Sequence, residues 1–353
     1  LSSRRVTLAE VAKAAGVSPT TASFVLSGRG PEMRISRDVE QRVLRTAGEL
    51  QYRPNIVSVG LRTGTTQTVG FVSDTIATSR FAGDLIRGAL EAARNRGVML
   101  FIGETEGDAD LEHRLVQAMQ DRQVDGLILA SMYTRTIDVP RELTSGPAVL
   151  LNALPSAPTP LASVIPDEAE AGRAAARILL DAGHREGIHT IGAGPDRDDV
   201  PRGGVAAVER LSGIRETLTA AGVALAGGAL RDAWEPEVGR TAVRELLQHE
   251  PPAALICFND RLALGAYQAL AEAGLRVPDD VSVVSFDDDD IASWIRPGLT
   301  SIALPHYELG RTAIDVLFDA IAGQGAPTSG SGAVHRVAMP VRARASVAAP
   351  RGA

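Results

Sequence analysis

One cysteine, Cys257, stands among 353 residues. No disulfide can form within such a chain, which excludes a secreted disulfide scaffold and points to the cytoplasm. No apolar run approaches the roughly 18 residues that a membrane helix requires. Leu1-Ser2-Ser3-Arg4-Arg5 leads into charged sequence with no apolar signal region, so no export signal is expected. Lysine is almost missing: Lys13 is the only one, and a phosphate-binding loop ending in Gly-Lys-Ser/Thr is therefore excluded. What remains, 44% apolar and 22% charged, is the composition of a folded protein. The length asks for two or three domains.

The net charge of −7 hides an asymmetry. Residues 1–66 hold ten Lys/Arg (Arg4, Arg5, Lys13, Arg29, Arg34, Arg37, Arg42, Arg45, Arg53, Arg62) against five acids. The rest of the chain carries −12. A basic head on an acidic body suits a polyanion bound at one end; a solvated basic surface is the other reading of the same charges.

The first fifty residues read as a helix-turn-helix. Thr7 and Glu10 form a capping box, and Leu8, Val11, Ala12 and Ala15 mark one helical face. Gly16 ends that helix, and Ser18-Pro19 restarts another at once. In the second helix Ala22, Val25 and Leu26 fall inward, while Pro19, Thr20, Ser23, Phe24 and Ser27 fall outward. Ser36 caps a third helix whose core stripe is Val39, Val43, Ala47 and Leu50. The outward row is small and hydroxyl-bearing, which lets a helix approach base edges. Phe24 is either part of the small core or an apolar contact to thymine methyls. Next, Pro54 blocks the preceding helix, and Asn55 caps a short one containing Ser58 and ending at Gly60-Leu61-Arg62-Thr63-Gly64. Leu61 followed by Arg62 suits a wedge into the minor groove; a linker whose Leu61 packs on the body is the alternative.

From Thr68 onward, short apolar runs alternate with helical patterns, which implies parallel sheets with helices on both faces. Strands are expected at 69–72, 98–102, 126–130, 148–151, 163–165, 188–192, 228–231, 254–258, 281–286 and 300–304, with a last one near 337–342. Helices are expected at 83–96, 111–122, 169–182, 211–221, 238–249, 261–273 and 309–321. So many strands exceed one comfortable sheet, which gives two lobes. Ligands of such sheets gather beyond the carboxyl ends of the strands. That rule selects Asp74, Tyr133, Asn152, Asn259-Asp260, the run Asp287 to Asp290, and Trp234 beside them. Carboxylates and amides next to an indole suit a polyol. A core or rim role for Trp234 and Tyr133, and a helix-capping role for the aspartates, compete with it.

The stretch Val6-Thr7-Leu8-Ala9-Glu10-Val11-Ala12-Lys13-Ala14-Ala15-Gly16-Val17-Ser18, with Tyr52-Arg53-Pro54-Asn55, resembles the head and hinge of the lactose/galactose-repressor (LacI–GalR) family. Phe258 to Ala266 and Val277 to Asp288 are similar to its body motifs. The resemblance spans Val6 to Ser346. It implies an all-α helix-turn-helix head (1–52), a hinge helix and linker (53–66), and a two-lobed α/β body like periplasmic binding proteins (67–353). It places Pro19, Thr20 and Phe24 at base-reading positions and Leu61 at the wedge. Asn259 and Asp287 then face the effector, Asp167 and Trp234 fall on ligand or cleft positions, and Phe81 resembles a cleft aromatic, with a core role as the alternative. Three features depart from the family: Phe24 replaces a common arginine, Gly60 interrupts the hinge, and the loop Gly28 to Ile35 is long. An arginine often found five residues before the glycine matching Gly213 is here Val208. Either Arg210 or Arg202 substitutes, or the effector is not a typical sugar.

Enzyme readings fare poorly. Gly192-Ala193-Gly194 has Arg197 where a dinucleotide fingerprint needs its third glycine, and His184 and His189 lack zinc-protease spacing. The aspartates 287–290 read as a loop rather than a cation site, and Cys257 as an inert buried thiol. The chain is thus expected to be no enzyme, without metal or cofactor. It is expected to be a cytoplasmic regulator, a repressor, that binds a near-palindromic DNA operator as a homodimer. A small polar effector between the lobes, acting as inducer or corepressor, would control it. The candidate DNA-binding residues are Thr7, Ser18, Pro19, Thr20, Thr21, Ser23, Phe24, Asn55, Ser58, Leu61 and Arg62. The candidate effector residues are Asp74, Phe81, Tyr133, Asp167, Arg210, Trp234, Asn259 and Asp287. A sugar-binding protein without a DNA role and a nucleotide-dependent α/β enzyme are the alternatives.

Overall fold

The computed structural model describes residues 6–53, 64–76, 82–196, 198–201, 203–249, 251–323 and 332–351. It divides into two compact units, Leu1–Gln67 and Thr68–Ala353.

The first unit is helical: α1 (Leu8–Ala15), α2 (Pro19–Leu26) and α3 (Arg37–Glu49). Thr7 and Glu10 cap α1 reciprocally, and Gly16 closes it at φ +64°, a left-handed conformation that costs a side-chain-bearing residue about 1–2 kcal/mol. Ser18 caps α2 by accepting from the Thr21 amide, with Pro19 in the first turn. Ala12, Ala15, Ala22, Val25 and Val43 form the buried cluster among these helices. Two details of α3 differ from the sequence pattern. Ser36 stands at its N-cap without a side-chain capping bond. Leu50, at the end of the expected stripe, is 36% exposed, because the helix has already ended at Glu49.

The second unit carries two six-stranded sheets. In one the order is β11-β5-β4-β3-β1-β2, built from β1 (Thr68–Ser73), β2 (Met99–Glu104), β3 (Gly126–Ile137), β4 (Ala148–Pro155), β5 (Ala162–Pro166) and β11 (Val334–Val337). In the other it is β12-β10-β9-β8-β6-β7, built from β6 (Ile188–Gly192), β7 (Gly227–Leu230), β8 (Ala254–Cys257), β9 (Ser282–Asp287), β10 (Thr300–Ala303) and β12 (Val341–Arg342). All described pairings are parallel except β10 with β12. Helices cover both faces, so the central strands are buried on both sides and read as continuous apolar runs. Along β1, Val69 and Phe71 face the core under helices Ala82–Asn95 and His306–Ile321, while Val72 faces the opposite core.

The chain passes between the two sheets three times: from β5 to helix Glu168–Asp181, from β10 to helix His306–Ile321, and from β11 to β12. Backbone bonds tie these crossings together, Asp167 N donating to Val337 O (2.9 Å) and Ala303 N to Pro340 O (2.9 Å). The single last strand expected near 337–342 is therefore two short strands, one in each sheet. Residues 338–340 leave one sheet for the other, a partnership invisible to local pattern. Strand β3 is also longer than expected: it bulges between Ala130 and Arg135 and then pairs again, Arg135 with Ala153. Helix Val205–Ala220 starts six residues before the expected Leu211.

Within the second lobe, helices Glu168–Asp181 and Val205–Ala220 cross glycine to glycine. A Cβ on Gly172 would lie 2.1 Å from Arg210 O, and one on Gly213 2.0 Å from Ala169 O. Only glycine permits backbones this close.

Candidate functional site

The outer face of α2 presents Pro19 and Thr20 to solvent, with Thr21, Ser23 and Phe24 half-buried. Two of the candidate hydroxyls are engaged in helix building. Thr7 Oγ1 accepts from Glu10 N (3.3 Å), and Ser18 Oγ accepts from Thr21 N (3.0 Å) while lying 2.9 Å from Thr21 Oγ1. The Phe24 ring is covered on one side by Arg29, whose guanidinium carbon lies 5.4 Å from its centroid. Asn55, Ser58, Leu61 and Arg62 lie outside the described residues, as do Phe81 and Arg202.

In the second lobe the carboxyl ends of β8 and β9 gather four of the expected residues. Asn259 caps helix Asp260–Glu272, its Oδ1 accepting from Leu262 N (2.8 Å), and its Nδ2 donates to Trp234 O (3.2 Å). The half-buried Trp234 ring meets Phe258 edge-on at 5.9 Å, and its Nε1 donates to Arg231 O (3.0 Å). Arg210 sits at the centre, 3% exposed. It donates to both oxygens of Glu168 (2.5 and 3.1 Å), to Phe258 O (2.6 Å) and to Asp287 Oδ1 (3.5 Å), and lies 4.5 Å over the Phe286 ring. Helical geometry explains why Arg210 fills this place and position 208 does not. Two residues apart on one helix point in nearly opposite directions, and Val208 is turned to solvent, 44% exposed.

Burial pushes the Glu168 and Asp287 carboxyls above their ordinary range, outweighing the attraction of Arg210 in both cases. Burial also works against the Arg210 guanidinium, but the two carboxylates more than offset it and hold it protonated. The trio carries one carboxylate more than it has cations, so it has acceptor capacity to spare for hydroxyl or N–H donors. Glu168 escaped the sequence reading. It follows Asp167, and only the crossing of the two helices shows that it faces Arg210. Beside the trio, Asp260 is buried, accepting from Ser301 Oγ (2.8 Å), Ser285 Oγ and Asp289 N (2.7 Å). Burial, reinforced by the neighbouring Asp287, pushes its carboxyl up to about 7.

Asp167 caps helix Glu168–Asp181 at the first crossing, accepting from Glu170 N (3.2 Å). Close by, Arg336 of β11 grips Glu209 with two bonds of 2.7 Å, an ion pair between lobes. Asp74 and Tyr133 form a separate group at the carboxyl edge of the first sheet. Asp74 accepts from Thr75 N (2.6 Å), Met132 N (2.9 Å) and Arg135 (3.0 Å), which makes it a clamp on the β3 bulge. Tyr133 rides on that bulge, 59% exposed. Nearby, Asn152 is buried at φ +51° with an Oδ1 that finds no described partner. Left-handed backbone at a non-glycine is strained and clusters at functional sites. Asp287, at φ +101°, repeats the pattern in the second lobe. Among the described residues no cluster of three or more His, Cys, Asp or Glu has metal-binding geometry, and no helix is long and apolar enough to cross a membrane.

Comparison with known proteins supports both units. Residues 7–55 match the bacterial regulatory proteins of the lacI family, and residues 178–347 match a periplasmic binding protein-like domain. The HTH-type transcriptional repressor PurR of Haemophilus influenzae (strain PittEE) is 32% identical over 320 residues, covering 89% of this chain and 91% of its own. The ribose operon repressor of Escherichia coli (strain K12) is 33% identical over 327 residues, covering 89% and 93%. Among solved structures, the Lac repressor dimer bound to operator and the anti-inducer ONPF superposes with a TM-score of 0.78 at 26% identity, covering 98% of this chain and 100% of that one.

Proposed function

The chain belongs to the lacI family of bacterial regulatory proteins, and on that premise we propose how its two units divide the work. It is a DNA-binding transcriptional repressor whose operator affinity is controlled by a small effector; its relatives are repressors, not enzymes. It works in the cytoplasm, where its operator lies. Two heads, contributed by a homodimer, enter successive major grooves of a near-palindromic site. Pro19, Thr20, Ser23 and Phe24 meet base edges, with Thr7, Ser18 and Thr21 holding the helices that present them. The hinge residues Asn55, Ser58 and Arg62 follow the backbone while Leu61 opens the minor groove. The edge strand β2 exposes Met99, Phe101 and Ile102, an apolar margin suited to cover by the second copy.

The observation that carries the effector reading is the surplus carboxylate of the buried Glu168–Arg210–Asp287 trio beside Asn259 and the Trp234 ring. A sugar or sugar derivative donates hydroxyls to Asp287 and lays an apolar face on Trp234, with Tyr133 contributed by the first lobe and Phe81 as a further aromatic contact. Arg210 orients Asp287, and Asp167 marks the crossing about which the lobes turn. Differential affinity for open and closed bodies then shifts operator binding.

Titration of duplex operator fragments against salt, with and without effectors found by thermal shift, tests the whole reading. Affinity should fall steeply with salt, and a bound effector should raise the melting temperature of the native chain. A flat salt response would refute DNA binding. Effectors that stabilise the chain but leave operator affinity unchanged would refute the coupling.

A further inference from the structure

On the outer row of α2 every residue up to Ser23 is small, and Phe24 has no polar group to offer a base. Arg29 lies directly beyond it. Its backbone N–H donates to Phe24 O (2.9 Å), and its guanidinium stacks over the Phe24 ring at 5.4 Å. Glu32 takes the Nε edge of that guanidinium at 2.9 Å. Among the described hydrogen bonds the two terminal nitrogens take no partner, and the side chain is 54% exposed.

The loop bearing Arg29 is built, not loose. Met33 N donates to Arg29 O (3.2 Å), Arg34 N to Pro31 O (3.1 Å) and Ile35 N to Gly30 O (3.0 Å). Gly30 is buried beside the Glu40 carboxylate.

From this arrangement we propose that Arg29 is a specificity-determining residue that reads a guanine at the end of the recognition row, with Phe24 as its platform and Glu32 as the positioning residue. The proposal rests on the DNA-binding reading above. A planar guanidinium held on an aromatic face by a carboxylate on one edge has its fork aligned before binding. The terminal nitrogens match the O6 and N7 acceptors that guanine shows in the major groove. Glu32 alone would repel the DNA backbone; paired with Arg29 it adds no net charge and keeps the fork turned outward. The row thus regains the arginine chemistry that Phe24 lacks, from a position five residues further along.

The test is operator selection by the full-length protein from a randomised duplex library, comparing wild type with Arg29→Ala and Arg29→Lys. Thermal melting checks that each variant is folded. Both variants are expected to lose preference for G·C at one symmetric position, by roughly 5- to 150-fold, the range for one bidentate base contact. Lysine keeps the charge but not the fork, so its failure distinguishes base reading from charge. Two results would overturn the proposal. One is equal weakening on all sequences, with the log–log salt slope reduced by about 0.9 and lysine restoring binding, which marks a phosphate contact. The other is unchanged selection. Absence of salt-sensitive duplex binding by the wild type would instead refute the DNA-binding reading on which the proposal rests.

Discussion

Replacing Arg210 by methionine isolates the buried trio. The side chain is 3% exposed and faces two carboxylates that burial already pushes upward. Methionine fills much of the volume but leaves Glu168 and Asp287 without their cation, and breaking a buried pair in this way costs about 3–5 kcal/mol. At about 2 °C per kcal/mol in a unit of this size, the melting temperature at pH 8 should fall by roughly 6–10 °C. The loss must depend on pH. Without the guanidinium both carboxyls titrate still higher in the folded state, so the variant loses stability as pH rises from the unfolded carboxyl range, about 4, through those raised values. Below about pH 4 both states are protonated, and only the lost hydrogen bonds remain, about 1 kcal/mol. Calorimetric melting of wild type and variant from pH 4 to 8 reads this directly. Adding Glu168→Gln to the variant should restore part of the loss at pH 8. A deficit independent of pH, or a double variant no better than the single one, would refute the charge argument.

Asp287→Asn should weaken effector binding by roughly 10- to 150-fold, the range for a charged hydrogen bond of about 1.5–3 kcal/mol, while effector-free operator binding stays unchanged; a normal effector response counts against its place in the site. Because the Asp260 carboxyl titrates near 7 in the folded chain against about 3.9 unfolded, its contribution to stability should be lost between about pH 4 and 7 as pH rises. Asp260→Asn should remove that segment of the stability–pH profile, and identical profiles would contradict it. Gly172→Ala should overpack the helix crossing and lower stability by about 1–3 kcal/mol, seen as a depressed melting point; unchanged melting would mean that the crossing relaxes freely.

Much of this architecture was legible because it is local. The capping box at Thr7 and Glu10, the left-handed stop at Gly16 and the apolar runs of β1 to β10 each announce themselves within a few residues. What stayed hidden depends on partners distant in sequence. Nothing near Val337 reveals that the chain changes sheets at 338–340, since both halves read as one extended run. Glu168 reads as an exposed first-turn acid, the ordinary place for one, until the neighbouring helix brings Arg210 against it 42 residues later. Asp74 was found by the carboxyl-end rule, yet the rule could not tell that its oxygens are occupied by the bulge at Met132 and Arg135. That Arg210 and not position 208 reaches the carboxylates is a matter of helical phase: counting residues to a glycine does not say which side of the helix each one faces.

The triple crossing has a genetic consequence. Neither lobe is encoded by one uninterrupted stretch: the first takes β1 to β5, helix His306–Ile321 and β11, and the second takes β6 to β10 and β12. A nonsense or frameshift lesion falling just beyond the codon for Ala303 would strip a covering helix and an edge strand from one half and the closing strand from the other. Such truncations are expected to behave as null alleles, since the missing segment is woven through both halves rather than appended to either.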